Sequence, residues 1–194
     1  MPADTAAGYK GYKSPSPVGG GIATAPTAAA AAAANENAAR CRKWVVCYSM
    51  YGGSSPRYAD GALANAELVR QVFPGWSMRV YHDNSVPAPL LQELTKLGVE
   101  LRDMTASGLT NQMTWRFSVA SDPTVERFIV RDLDSRLSIR EKVAVDEWVL
   151  SGKRFHVMRD HPSHSLYPMS GGMWGGTHEA MPDMLSIVKG QHLS

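Results

Sequence analysis

Large apolar side chains are scarce along the first part of the chain and then arrive together. Residues 1–42 are mostly Ala, Gly, Pro, Ser and Thr. Such side chains bury too little surface to offset the entropy of ordering, so a disordered tail is expected there. Trp44-Val45-Val46-Cys47-Tyr48-Ser49 follows, an aromatic and β-branched run that predicts a buried first strand. A single folded domain is expected over 43–194, about 150 residues and long enough for one core.

Beyond the Gly52-Gly53 loop, helical and strand-like patterns alternate. Ala62, Ala66, Val69 and Phe73 recur at helical spacing through 59–73 until Pro74-Gly75 stops them, and Ser77 to Tyr81 predicts a second strand. Pro87 and Pro89 open a helix whose apolar face is Leu90, Leu91, Leu94 and Leu97; Gly98 caps it before a short strand at Val99 to Leu101. Residues 111–121 read as helical and Arg127 to Arg131 as a strand. Ser138-Ile139-Arg140-Glu141 is a capping-box match for a helix that runs to about Leu150 and ends at Gly152. Ile139, Trp148 and Val149 supply its apolar positions, with Trp148 expected in the core. Phe155 to Met158 predicts another strand, Met169 to Trp174 an apolar glycine-rich segment, and Glu179 to Val188 a weaker final helix. Alternation of this kind is the signature of an α/β fold: a Rossmann-like, mostly parallel sheet covered by helices.

Composition narrows the function classes. The formal charge is only +2, from 20 Lys plus Arg against 18 Asp plus Glu. With no long basic run, there is no electrostatic case for nucleic acid. No stretch approaches the roughly 20 apolar residues of a membrane span. The alanine run at 28–34 is weakly hydrophobic and lacks a charged start, which makes it a poor signal core. Cys41 and Cys47 fit no zinc spacing and would close only a tiny loop, so a soluble protein in a reduced, cytoplasm-like setting is expected.

The candidate chemistry lies at Phe128-Ile129-Val130-Arg131-Asp132-Leu133-Asp134, where an apolar strand runs into two carboxylates. Ligands of open α/β sheets bind outside the carboxyl ends of strands. Two hard oxygen ligands there suit Mg²⁺ or Mn²⁺, which share their remaining positions with phosphate oxygens and water. The same carboxylates also read as loop residues that cap the next helix or pair with Arg131 and Arg136, and both readings stay open.

With its neighbours, the triplet resembles the type-A (GT-A) fold of nucleotide-sugar glycosyltransferases, in which an Asp-x-Asp motif closes the first half of a Rossmann-like sheet. Four segments carry the likeness: Val45 to Gly52, Tyr58 to Tyr81, Asn111 to Phe117, and Pro168-Met169-Ser170-Gly171-Gly172-Met173-Trp174-Gly175. It extends over about 44–178, and Val145 to Gly176 is also similar to small glycosyltransferase-like proteins of large DNA viruses and microbes. The resemblance implies a nucleoside diphosphate sugar donor, UDP-linked by preference, a glycan or other hydroxyl acceptor, and Mn²⁺ or Mg²⁺. Asp134 would ligate the metal directly, Asp132 would contact the ribose or the metal through water, and Arg116 would face the donor. Gly171 and Gly172 would let sugar and acceptor approach the backbone.

Ser49 lies where the first strand meets the crevice, and Tyr51 and Tyr58 could stack on or hydrogen-bond the base; each also reads as scaffold. Asp160 and His161, after the strand at 155–158, are candidates for the general base that an inverting enzyme needs. A polar loop with Asp160 paired to Arg159 or capping a turn is the alternative. His161 and His164 lack a third zinc ligand at suitable spacing, and Trp174 reads equally as a sugar-facing rim or as core.

Members of the type-A group continue beyond the small-residue turn to a late metal-binding His. Only 177–194 follow here, and no convincing final strand precedes His178 or His192; a metal-dependent glycosyltransferase is the expected function, and a C-terminally truncated or inactive relative stays open beside it. A non-catalytic nucleotide-sugar-binding domain is the main alternative. A haloacid-dehalogenase-like phosphatase fits less well, because its nucleophilic Asp belongs near the domain's start.

Overall fold

A computed structural model describes residues 43–190 apart from 54 and 167; the expected tail, Cys41 and His192 lie outside the described residues. The strands are β1 (Lys43–Met50), β2 (Trp76–His82), β3 (Glu100–Asp103), β4 (Val125–Val130), β5 (Phe155–Val157) and β6 (Trp174–Thr177). They form one sheet in the order β3-β2-β1-β4-β6-β5. β1 to β4 are mutually parallel, and β6 runs antiparallel to both β4 and β5. The expected α/β class with a mostly parallel sheet is observed.

Alternation along β1 assigns its two faces. Trp44, Val46, Tyr48 and Met50 meet the helices α1 (Pro56–Val72), α2 (Ala88–Lys96) and α3 (Ile139–Ser151) through Ala62, Val69, Leu94, Val145 and Trp148. Val45 and Cys47 point the other way, with Phe128, Val130 and Trp174, toward a 3₁₀ helix at Gln112–Ser121 and the short α4 (Met184–Val188). The capping box at α3 forms in full: Ser138 accepts from the Glu141 backbone and Glu141 from the Ser138 backbone. Gly152 closes that helix at φ 66°, a left-handed conformation that favours glycine.

Two elements depart from expectation. Residues 179–188 do not form one helix, because Pro182 disfavours helical backbone ahead of it and α4 starts only at Met184. β6 lies inside a glycine-rich stretch that gives little strand signal. A Cβ on Gly175 would sit 2.5 Å from the Phe128 carbonyl oxygen, so the strand pairs with β4 only because that residue is glycine.

The chain builds β1, β2 and β3 in one direction and then returns through the 3₁₀ helix to lay β4 on the other side of β1. The crevice between the carboxyl ends of β1 and β4 is therefore the topological switch point, where open α/β sheets bind their ligands.

Candidate functional site

A cleft of about 270 Å³ occupies that switch point, lined by Ser49, Met50, Tyr51, Tyr58, Met113, Arg116, Asp132, Leu133 and Asp134. Ser49 continues the Val45, Cys47 side of β1 and so faces the 3₁₀ helix. Its Oγ accepts from the Arg116 backbone N–H at 3.0 Å and donates to the Met113 carbonyl at 3.4 Å. Ser49 thus fixes the segment that presents Arg116. Beneath it the Cys47 thiol is fully buried, 3.2 Å from the Ile129 carbonyl, and burial pushes it up to about 12; it is a packing group, not a nucleophile.

Alternation past β4 also sorts the acidic segment. Arg131 is 1% exposed and turns to the α3 side, where Nε donates to Glu141 at 2.7 Å and Nη1 to the carbonyls of Val130 and Trp174. Asp132 turns to the 3₁₀ side and accepts from Arg116 Nη1 at 2.5 Å, while Leu133 enters the core. Asp134 accepts from Arg57 Nη2, in the first turn of α1, at 2.6 Å. The carboxylates therefore pair with Arg116 and Arg57 and not with Arg131 and Arg136; Arg136 donates to the Leu133 carbonyl.

Two residues of α1 that the sequence reading passed over hold this loop. Asn65, fully buried, donates to the carbonyls of Leu133 and Ser135 and accepts from the Leu137 N–H. Gly61 sits so close that a Cβ there would lie 2.1 Å from the Leu133 carbonyl oxygen. Both left a trace in the sequence: a glycine inside a helical pattern, and an amide on the apolar face beside Ala62, Ala66 and Val69.

The direction of β6 explains the role of the glycine turn. Because Trp174 pairs with Val130 and Thr177 with Arg127, β6 starts at the cleft end of the sheet, which brings Gly171 and Gly172 beside the acidic pair. A Cβ on Gly172 would lie 1.9 Å from Asp132 Oδ2, and one on Gly171 would lie 3.7 Å from Arg116 Nη2. The same direction carries His178 to the opposite end of the sheet, where its Nδ1 lies 3.2 Å from the Ala120 carbonyl. A strand does precede this His, but it points the residue away from Asp132.

The donor set open to a hard divalent cation here is two carboxylates. Asp132 Oδ2 and Asp134 Oδ1 lie outside the arginine pairs, and both residues line the cleft. Among the described residues no group of three or more His, Cys, Asp or Glu assembles, so phosphate oxygens and water would complete the coordination, as is usual for Mg²⁺. Arg116 is buried to 7% exposure, and its Nε, itself buried, has no hydrogen-bond partner among the described residues.

The remaining candidates differ in how they stand to this cleft. Asp160 and His161 do not line it. Asp160 is 3.0 Å from His164 Nδ1 and 3.8 Å from Arg140, while Arg159 donates to the Pro168 carbonyl. Trp174 is fully buried against Phe117, Phe128 and Phe155, which makes it core and not rim. Tyr58 is 42% exposed at the cleft mouth, and burial raises the Tyr51 phenol. Tyr51 also packs edge-on to Trp115, a wall of an adjoining hollow of about 300 Å³ at the ends of β2 and β3. No helix among the described residues is long and apolar enough to cross a membrane. No protein-family model matches the chain, and neither does any curated protein.

Proposed function

We propose that this chain is a metal-dependent glycosyltransferase of the type-A fold, moving a sugar from a nucleoside diphosphate sugar to a glycan or other hydroxyl acceptor. One observation carries the reading: Ser49, Tyr51, Tyr58, Arg116, Asp132 and Asp134, drawn from four separate stretches of sequence, line a single cleft at the switch point of the sheet. Asp132 and Asp134 would hold Mn²⁺ or Mg²⁺. A cation there supplies Lewis-acid stabilisation to the charge that collects on the departing diphosphate. Arg116 adds a fixed positive group, oriented by Ser49 through its backbone. Tyr51 and Tyr58 flank the nucleoside, and the hollow beyond Trp115 leaves room beside the diphosphate. Gly171 and Gly172 keep the acceptor side open to the backbone.

A second reading, a non-catalytic nucleotide-sugar-binding domain, is favoured by the position of Asp160 and His161 outside the cleft lining. Calorimetric titration of UDP and GDP, with and without Mn²⁺, on the wild type and on Asp134→Ala tests the shared core of both readings. Metal-dependent binding that is lost in the variant is expected. Absence of binding by either nucleotide in the presence of Mn²⁺ would overturn both. Radiolabelled nucleotide sugars then separate transferase from binder by the appearance of transferred or hydrolysed sugar.

A further inference from the structure

We infer that the two guanidiniums beside the acidic pair exchange partners on loading, so that the cleft takes a divalent cation and a diphosphate together and either one poorly alone. The inference rests on the function proposed above and adds to it a role for Arg57. The cleft as it stands is charge-balanced: Arg57 neutralises Asp134 at 2.6 Å and Arg116 neutralises Asp132 at 2.5 Å. A bare cation has to compete with a guanidinium at each carboxylate. A bare diphosphate meets two carboxylates beside the arginines it would pair with. When both arrive, the cation takes over the carboxylates and the freed guanidiniums have phosphate oxygens to bind, for which their planar fork is suited.

The arginines differ in how they can move. Arg116 has a side chain 8% exposed and is tied to the Arg131 carbonyl at 2.9 Å as well as to Asp132, so it stays in place and exchanges only its contact with Asp132. Arg57 is 71% exposed, with Asp134 as its one ion-pair partner among the described residues, so its side chain is free to swing. It stands in the first turn of α1, a helix of 17 residues whose first turn carries no acidic side chain and whose N-cap makes no side-chain hydrogen bond. The helix dipole there favours an anion in the same place.

The test uses the full chain and the free Mn²⁺ signal in electron paramagnetic resonance titrations, with and without UDP, on the wild type, Arg57→Gln and Arg57→Lys. UDP is expected to tighten Mn²⁺ binding by about tenfold or more in the wild type. With the competing guanidinium gone, R57Q should bind Mn²⁺ alone about two- to fivefold tighter, the worth of one exposed ion pair. The enhancement by UDP should fall by about threefold or more in R57Q and largely return in R57K, while melting temperatures stay close to wild type because Arg57 packs against little. A merely structural Arg57 would move none of these affinities. If wild-type Mn²⁺–UDP binding is intact but R57Q changes neither quantity, or if Mn²⁺ binds as tightly alone as with UDP, the exchange is wrong and the nucleotide-sugar reading stands. If wild type binds no Mn²⁺ with UDP at all, both fail.

Discussion

A Cβ on Gly172 would approach Asp132 Oδ2 to 1.9 Å, well inside contact distance, and the atom it meets belongs to a carboxylate already held by Arg116. Gly172→Ala must therefore displace either the turn or the carboxylate. Mn²⁺-dependent nucleotide affinity is expected to drop by about tenfold in calorimetry, with a stability loss of about 1 kcal/mol in urea as the half-exposed ion pair loosens. Gly171→Ala is the matched control: its Cβ would meet Arg116 Nη2 at 3.7 Å, an ordinary contact, and affinity should stay within about twofold. Asp134→Ala removes a ligand oxygen directly. Under the proposed function, transfer from a labelled donor should slow by roughly 10² to 10⁴, the size of lost electrostatic stabilisation in other active sites. The three substitutions order the site: chemistry most at 134, access at 172, neither at 171.

One helix, α1, holds the acidic loop in place. Gly61 and Asn65 are one turn apart and reach the same carbonyl, that of Leu133. Alanine at 61 would gain up to about 1 kcal/mol of helix propensity. Overpacking against a backbone carbonyl costs about 1–3 kcal/mol, so Gly61→Ala should be destabilising on balance. Asn65→Ala strands the Leu137 N–H and frees two carbonyls; a loss of about 2–4 kcal/mol is expected, read as a lower urea midpoint, with nucleotide affinity falling because residues 133–137 lose their support. Sequence made α1 visible through Ala62, Ala66, Val69 and Phe73, and the aromatic and β-branched run from Trp44 to Tyr48 made β1 visible. Asp132-Leu133-Asp134 was legible because an apolar strand preceded it. Arg57 was not, since its pairing with Asp134 is a contact across 77 positions that no local pattern encodes. β6 was hidden for another reason: Gly175 and Gly176 are there to permit close approach to Phe128, and glycine carries no strand propensity.

Across the whole molecule, buried charge makes stability depend on pH in two separate windows. Arg79, 1% exposed on β2, donates to Glu100 on β3 and to Asp122 at the end of the 3₁₀ helix, and Lys43 of β1 adds a second donor to Glu100. Burial pushes both carboxyls up, but hydrogen bonds from Lys43 and Arg79 at Glu100, and from Thr124 and Arg79 at Asp122, outweigh it and leave both lowered. Their stabilisation is present above the ordinary carboxylate range and is lost as pH falls below it. His156 acts at higher pH and in the same direction. It stacks on Trp148 with ring centroids 5.3 Å apart, and burial, then the charge of Arg131, pushes its imidazole down from 6.5 to about 4. The unfolded chain takes up this proton near pH 6.5, whereas the folded chain refuses it until about pH 4. Stability is therefore full above the upper value and drains away toward the lower one. At 1.36 kcal/mol per unit the loss between about pH 7.5 and about pH 4.5 is roughly 2–3 kcal/mol. His156→Phe keeps an aromatic ring on Trp148 and removes the titration. Its urea midpoint should therefore hold nearly level across that interval while the wild type's declines, and both should fall together once Glu100 and Asp122 protonate. Parallel decline of the two proteins from about pH 7 downward would show that the slope belongs to other groups.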